Sequence, residues 1–335
     1  MEPQLNFEKR KKVLVTGATG FLGGALVRFL SEKGVAVIAH GRNPLSCDNL
    51  RANGYSTLEW DLRDPLRDRD RSMLKDVVTI IHAAALSSPF GSKNDFESVN
   101  LLGTNVVLNL AKELGVQRFL FISSPSVHFA LKDQLNVSEK DPLPRPFNHY
   151  AWSKAEAEKL VLGCSNIGPV ILRPRGLYGP GDTTLLPRLL TAAKARALPC
   201  FRSGIAKIDL TFIDDAIDAI CAALAANSSI HKRTYNISGG QALPVREIVE
   251  RCCAKANIPV RWRTMRLLPA LAVAYASEQL SLLQTGKEPE FTRYGLALFA
   301  YKQSLNIQAA QSDLGWSPKI SFDEGLERTF TEFER

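Results

Sequence analysis

Tyr150 and Lys154 stand four residues apart, the spacing that brings two side chains onto one face of a helix. A phenol with an ordinary pKa of about 10 is a weak base at neutral pH. A cation beside it favours the phenolate. Such a pair can take the proton from an alcohol as hydride leaves its carbon, or return one when a carbonyl is reduced. Hydride needs a carrier, and the chain has a place for one. After the apolar run Val13-Leu14-Val15 come Gly17, Gly20 and Gly23. Gly17 permits a tight turn, Gly20 lets backbone amides approach a pyrophosphate, and Gly23 lets a helix pack closely on the strand. Phe21 and Leu22 open that helix, whose N-terminus carries partial positive charge. The spacing is Gly-x-x-Gly-x-x-Gly, not the commoner Gly-x-Gly-x-x-Gly.

The second strand should end near Ala39, and no carboxylate follows it to take the adenosine ribose hydroxyls. Arg42 is there instead, with a planar fork of donors suited to a 2′-phosphate. NADP(H) is therefore preferred over NAD(H). Asp61 and Leu62 suit the adenine edge, although Asp61 could equally cap a helix. Ala83 and Ala84 are small enough to let the backbone approach the ribose and pyrophosphate, while His82 reads as a packed strand-end residue. Ser123, Ser124 and Ser126 follow the Arg118–Ile122 run, at the sheet edge where ligands bind. Ser124 is the expected hydrogen-bond donor to the substrate oxygen, with Ser126 next and Ser123 on the cofactor.

These groups need a scaffold. Short β-branched runs at Val13–Thr16, Val35–Ala39, Val77–His82, Arg118–Ser123 and Pro169–Arg173 alternate with helical patterns at Gly23–Lys33, Ser98–Leu114 and Tyr150–Leu162. That alternation predicts an α/β fold, a doubly wound parallel Rossmann sheet. Past Arg173 the rhythm breaks in a Pro- and Gly-rich turn. Asp209–Ile213 and Thr234–Ile237 read as strands rejoining the sheet, and Leu185–Ala197, Val245–Ala256 and Leu267–Leu283 as helices of a lid. The expected organisation is a dinucleotide-binding domain over 1–175, with 206–237 returning to it. A smaller, discontinuous C-terminal α/β substrate domain takes 176–205 and 238–335.

The 335 residues are 45% hydrophobic, enough for a large core, and carry a formal charge of +8. The cations are scattered, with the densest run at Lys9-Arg10-Lys11-Lys12, so no nucleic-acid partner is expected. Six cysteines lack Cys-x-x-Cys spacing and nearby His, which predicts neither metal site nor disulfide framework and suits a reducing cytoplasm. No secretory or membrane-spanning pattern is read. Leu267–Leu283 is apolar but interrupted by Pro269 and Glu278-Gln279, so an amphipathic helix is expected, with peripheral membrane contact through 267–283 as one use of its apolar face.

Together, Gly17 to Gly23, Asp61-Leu62, His82 to Ala85, Asn100, Ser123-Ser124, Tyr150 to Lys154 and the Arg173 to Asp182 segment resemble the extended short-chain dehydrogenase/reductase family. The Arg173–Asp182 segment, Leu185–Leu189 and Leu314–Pro318 are similar to its 3β-hydroxysteroid dehydrogenase/isomerase-like branch, and especially to bacterial reductases of 2-alkyl-3-ketoacids. The resemblance implies catalytic roles for Ser124, Tyr150 and Lys154, Pro174 beside the nicotinamide, and a homodimer. The family also holds nucleotide-sugar epimerases and dehydratases, whose corresponding strand usually carries Arg-Asp. This chain has Ile208-Asp209. The expected function is interconversion of a secondary alcohol and a ketone on a largely apolar small molecule. An epimerase or dehydratase of nucleotide sugars is the alternative, and a non-catalytic NADP(H)-sensing protein the second.

Overall fold

A computed structural model describes residues 11–284 and 286–333. Lys9 and Arg10 of the basic run lie outside the described residues. Seven parallel strands form the central sheet: β1 Lys12–Thr16, β2 Ala36–Gly41, β3 Ser56–Glu59, β4 Val77–His82, β5 Arg118–Ile122, β6 Pro169–Pro174 and β7 Arg233–Ile237. Their spatial order is β7-β6-β5-β4-β1-β2-β3. The order reverses between β1 and β4, the switch point at which doubly wound sheets bind ligands beyond the strand ends.

The strands are buried because helices cover both faces, so they read as continuous Val, Ile, Leu and Phe runs. On one face Phe21–Glu32 and Ile213–Ala225 pack through Leu26, Leu30, Ile217 and Ile220. On the other Gly103–Leu114 and His149–Gly163 pack through Val107, Leu108, Ala157 and Val161. Residues 97–102, of which 98–102 were expected to open an α-helix, form a π-helix ahead of Gly103. That wide turn brings Asn100 into the interior, where its amide accepts from Leu86 N at 2.7 Å and donates to Ser153 Oγ at 2.9 Å.

Thr234–Ile237 rejoins the sheet as expected, within β7. Asp209–Ile213 does not. Lys207–Asp209 joins a four-stranded sheet with Ala242–Pro244, Lys302–Leu305 and Gln134–Val137, while Thr211–Phe212 pairs with Leu177–Tyr178 and Ile213 starts a helix. β7 occupies the only edge of β6 left open by β5, so a further strand has no ladder to join there. The helices Leu185–Ala195, Val245–Lys255 and Leu267–Gln284 form near their expected bounds, and Arg293–Leu298 adds a short one. All six cysteines are free.

Candidate active site

The glycine turn has the form a dinucleotide requires. Gly17 adopts φ +73°, and a Cβ there would lie 2.7 Å from Ala84 N. A Cβ on Gly23 would lie 2.2 Å from the Gly17 carbonyl oxygen. Any side chain at either position would push the helix off the strand. Gly20 caps the helix Phe21–Glu32 without a side-chain hydrogen bond, so the first-turn amides are left for a ligand. Leu22 turns into the core. Thr16 Oγ1 accepts from Ala84 N at 3.2 Å and meets His82 Nδ1 at 2.7 Å, which ties the Ala83-Ala84 backbone to the turn. His82 is fully buried and its other nitrogen meets Thr104 Oγ1 at 3.0 Å, in accord with a packed strand-end role.

Sequence reasoning passed over His40. At the end of β2 its Nδ1 accepts from Gly17 N at 3.4 Å and its Nε2 donates to Trp60 O at 2.9 Å, clamping the glycine turn to the second and third strands. Burial pushes its pKa down to about 4, against the raising effects of the Trp60 carbonyl and Asp61. A neutral ring is what both hydrogen bonds need. Arg42 is exposed just beyond β2. Asp61, beside it, accepts from Arg63 Nη2 at 2.6 Å, and these hydrogen bonds hold its carboxyl at about 2 despite partial burial. Leu62 is buried under Gly103.

Tyr150 sits in the first turn of His149–Gly163, a helix started by Asn148, whose side chain accepts from Ala151 N at 2.8 Å. Ser124 and Ser87 lie close enough to the Tyr150 hydroxyl to lower its pKa. Ser87 had no signal in the sequence beyond its place after β4. Burial pushes the Tyr150 pKa up and outweighs the lowering by the two serines. In the protein alone burial thus favours the phenol, the state needed to protonate a carbonyl oxygen.

Lys154, one turn on, is 2% exposed; its ammonium donates to Ile122 O at 2.6 Å and lies 4.2 Å from the centre of the Phe121 ring. Burial lowers its pKa to about 7, partly offset by Glu158. Glu158 accepts from Arg173 Nε at 2.8 Å and Nη2 at 2.6 Å, and from Ser123 Oγ at 2.5 Å. The Ser123 hydroxyl is therefore turned into the protein, and it holds the helix on β5 rather than facing the cofactor. Ser124 begins the turn Pro125–His128, its Oγ accepting from Ser126 N at 3.2 Å.

Ser124, Ser126 and Pro174 line one cavity of about 160 Å³, closed by Ile208, Leu210, Leu185 and Leu298 and by Tyr294 from the short helix Arg293–Leu298. A proton donor, a serine and a mostly apolar chamber meet beyond the carboxyl ends of β5 and β6. A nicotinamide cofactor, held at the Gly17–Gly23 turn, would supply or take the hydride. In that arrangement Ser124 would orient the oxygen, Tyr150 would exchange the proton, and the apolar walls would keep water out.

The sequence profile of the NAD dependent epimerase/dehydratase family matches residues 13–238. The chain belongs to that family. Within it, the chain is 33% identical to the uncharacterized protein YbjS of Escherichia coli, over 95% of this chain and 96% of that protein. It is 32% identical to the 2-alkyl-3-oxoalkanoate reductase of Stenotrophomonas maltophilia, over 95% and 98% of the two chains. The sterol-4-alpha-carboxylate 3-dehydrogenase of Mus musculus is 28% identical over 98% of this chain and 92% of its own. Among solved structures, the NAD complex of UDP-glucuronic acid 4-epimerase from Bacillus cereus superposes with TM-score 0.74 at 23% identity, covering 96% of this chain and 98% of the other. That likeness concerns the fold. This epimerase/dehydratase family member is an NAD(P)-dependent oxidoreductase that interconverts a secondary alcohol and a ketone.

Proposed function

We propose that the enzyme reduces the keto group of an apolar 3-ketoacid, with NADPH preferred to NADH. The observation that carries this reading is the placement of Ser124 in the lining of a chamber whose remaining walls are largely Leu, Ile, Val, Phe and Pro. Ile208 lies in that wall, and an apolar residue there suits an alkyl chain better than a sugar diphosphate. The relatives named as 2-alkyl-3-oxoalkanoate reductase and sterol-4-alpha-carboxylate 3-dehydrogenase support the same substrate chemistry. NADPH is favoured because Arg42 is exposed at the end of β2 while Asp61 is already occupied by Arg63. The working unit is a homodimer, a reading that rests on family resemblance.

Peripheral membrane contact is a further part of the proposal. No helix among the described residues is long and apolar enough to cross a membrane. Along Leu267–Gln284, however, Leu268, Val273 and Leu283 are 78%, 69% and 85% exposed, which supports an apolar helix face available to a lipid surface.

The reading is tested by following NADPH and NADH absorbance against 2-alkyl-3-ketoacids, ketosteroids and nucleotide sugars, with Tyr150→Phe as control. Consumption of NADPH with the ketoacids, absent in the control, is expected. Turnover of a nucleotide sugar alone, with NAD retained through purification, would overturn it in favour of an epimerase.

A further inference from the structure

Polar groups in protein interiors almost always find hydrogen-bond partners, and a buried donor left without one is destabilising. Three side chains in the walls of the substrate cavity, Ser126, Gln303 and Arg175, break that rule. Ser126 is 6% exposed and Gln303 is 4% exposed, yet Ser126 Oγ and Gln303 Nε2 have no hydrogen-bond partner among the described residues. The Gln303 amide cannot simply be turned round. Its oxygen accepts from Arg175 Nη2, a group that can only donate, so the NH₂ must face the other way.

Arg175 lines the same cavity. Its Nε lies 2.9 Å from Asp209 Oδ1, an ion pair without hydrogen-bond geometry, and Asp209, 1% exposed, accepts from Leu305 N through its other oxygen at 2.8 Å. Asp209 thus balances the charge of the guanidinium. Its Nη1 makes no hydrogen bond within the protein among the described residues, and Arg175, Gln303 and Ser126 all line the one chamber. A hydroxyl, an amide NH₂ and a guanidinium NH₂ left open together call for a ligand group that only accepts, and a carboxylate offers about four lone pairs.

We propose that Arg175, Gln303 and Ser126 form a carboxylate subsite inside the substrate cavity, which selects substrates bearing an acid group close to the reacting carbon over neutral ketones and alcohols. Ser124 lines the same chamber, so an acid held by these donors leaves its neighbouring oxygen-bearing carbon on the Ser124 and Tyr150 side, with the alkyl chain against Leu185, Ile208 and Leu210. Arg175 is a specificity residue here and takes no part in proton or hydride transfer. The inference rests on the oxidoreductase reading above and sharpens it.

The test uses stable ligands. Oxidation of a 2-alkyl-3-hydroxyalkanoate, its methyl ester and a secondary alcohol of equal length is followed with NADP⁺. Binding of decanoate and decanol is measured separately by calorimetry. The variants are Arg175→Lys, which keeps the charge opposite Asp209 but loses the fork, Gln303→Leu and Ser126→Ala. The wild type is expected to favour acid over ester at least tenfold in kcat/KM, and decanoate over decanol by a similar factor. In Arg175→Lys and Gln303→Leu the acid-to-ester ratio of kcat/KM is expected to collapse toward one, chiefly through the KM for the acid. A general structural role for these residues would lower both substrates together and leave the ratio unmoved. Equal binding of decanoate and decanol by the wild type, or an acid-to-ester ratio unchanged in all three variants, overturns the subsite. If decanoate is preferred and the variants abolish that preference but no hydroxyacid is oxidised, the subsite stands and the proposed reaction is wrong.

Discussion

Glu158 grips Arg173 through both Nε and Nη2, at 2.8 and 2.6 Å, with side chains only 4% and 5% exposed. The same carboxylate takes the Ser123 hydroxyl, and Arg173 Nη1 meets His128 Nε2 at 2.7 Å. Because Glu158 is one turn beyond Lys154, this network fixes the helix bearing Tyr150 and Lys154 against the ends of β5 and β6. Glu158→Gln leaves a buried guanidinium without its counter-charge, a change that typically costs about 3–5 kcal/mol. The melting temperature should fall by roughly 5–15 °C, and thermal unfolding at neutral pH measures it. An unchanged melting temperature would show that the pair contributes no stability.

Tyr150→Phe removes the oxygen proposed to exchange the proton and leaves the glycine turn untouched. Turnover is expected to drop by about 10²–10⁴, while NADPH affinity measured by fluorescence titration stays within roughly twofold. Ser124→Ala should cost about tenfold or more in kcat through poorer placement of the oxygen.

Arg42 can be separated from the rest of the cofactor site because it is exposed and no shift of packing is needed to change it. Arg42→Asp is expected to raise the KM for NADPH at least tenfold and to lower that for NADH, turning the preference round. Equal loss for both coenzymes would remove Arg42 from the choice between them.

His40 and His128 are both held at about 4, chiefly by burial, against an ordinary 6.5 in an unfolded chain. Between those values the unfolded chain binds protons that the folded one refuses. Stability is therefore fully present above pH 6.5 and is lost as the pH falls toward 4. Urea midpoints measured from pH 7 to pH 4 should decline over that window. In His40→Gln the decline should be shallower.

Lys154 behaves in the opposite range. Its folded value of about 7 lies below the ordinary 10.5, so stability rises as the pH increases from 7 toward 10.5. Lys154→Met removes a buried charge and should melt above the wild type at pH 6, with the gap closing in alkaline solution, while catalysis is lost. Residues kept for chemistry at a cost in stability behave this way. Melting below the wild type at pH 6 would contradict it.

The chemistry was legible in the sequence because it depends on residue type and short spacing. A phenol and an amine four positions apart, three glycines after an apolar run and serines after a later one are local patterns. Helix and strand geometry convert them directly into a cofactor turn and a proton donor. The alternation of β-branched runs with amphipathic helices likewise dictates a parallel sheet, and β4 begins and ends where the pattern places it.

Side-chain orientation and long-range pairing depend on neighbours distant in the chain, and only the tertiary structure decided them. Ser123 turned inward because Glu158, 35 residues on, offered a buried charge. The expected strand over Asp209–Ile213 was divided between two small sheets because β7 took the free edge of β6. Burial, which no local pattern reports, pushed the Tyr150 pKa up and that of Lys154 down to about 7. Burial also brought Ser126, Arg175 and Gln303, separated by as many as 177 positions in the numbering, around a single chamber with donors to spare.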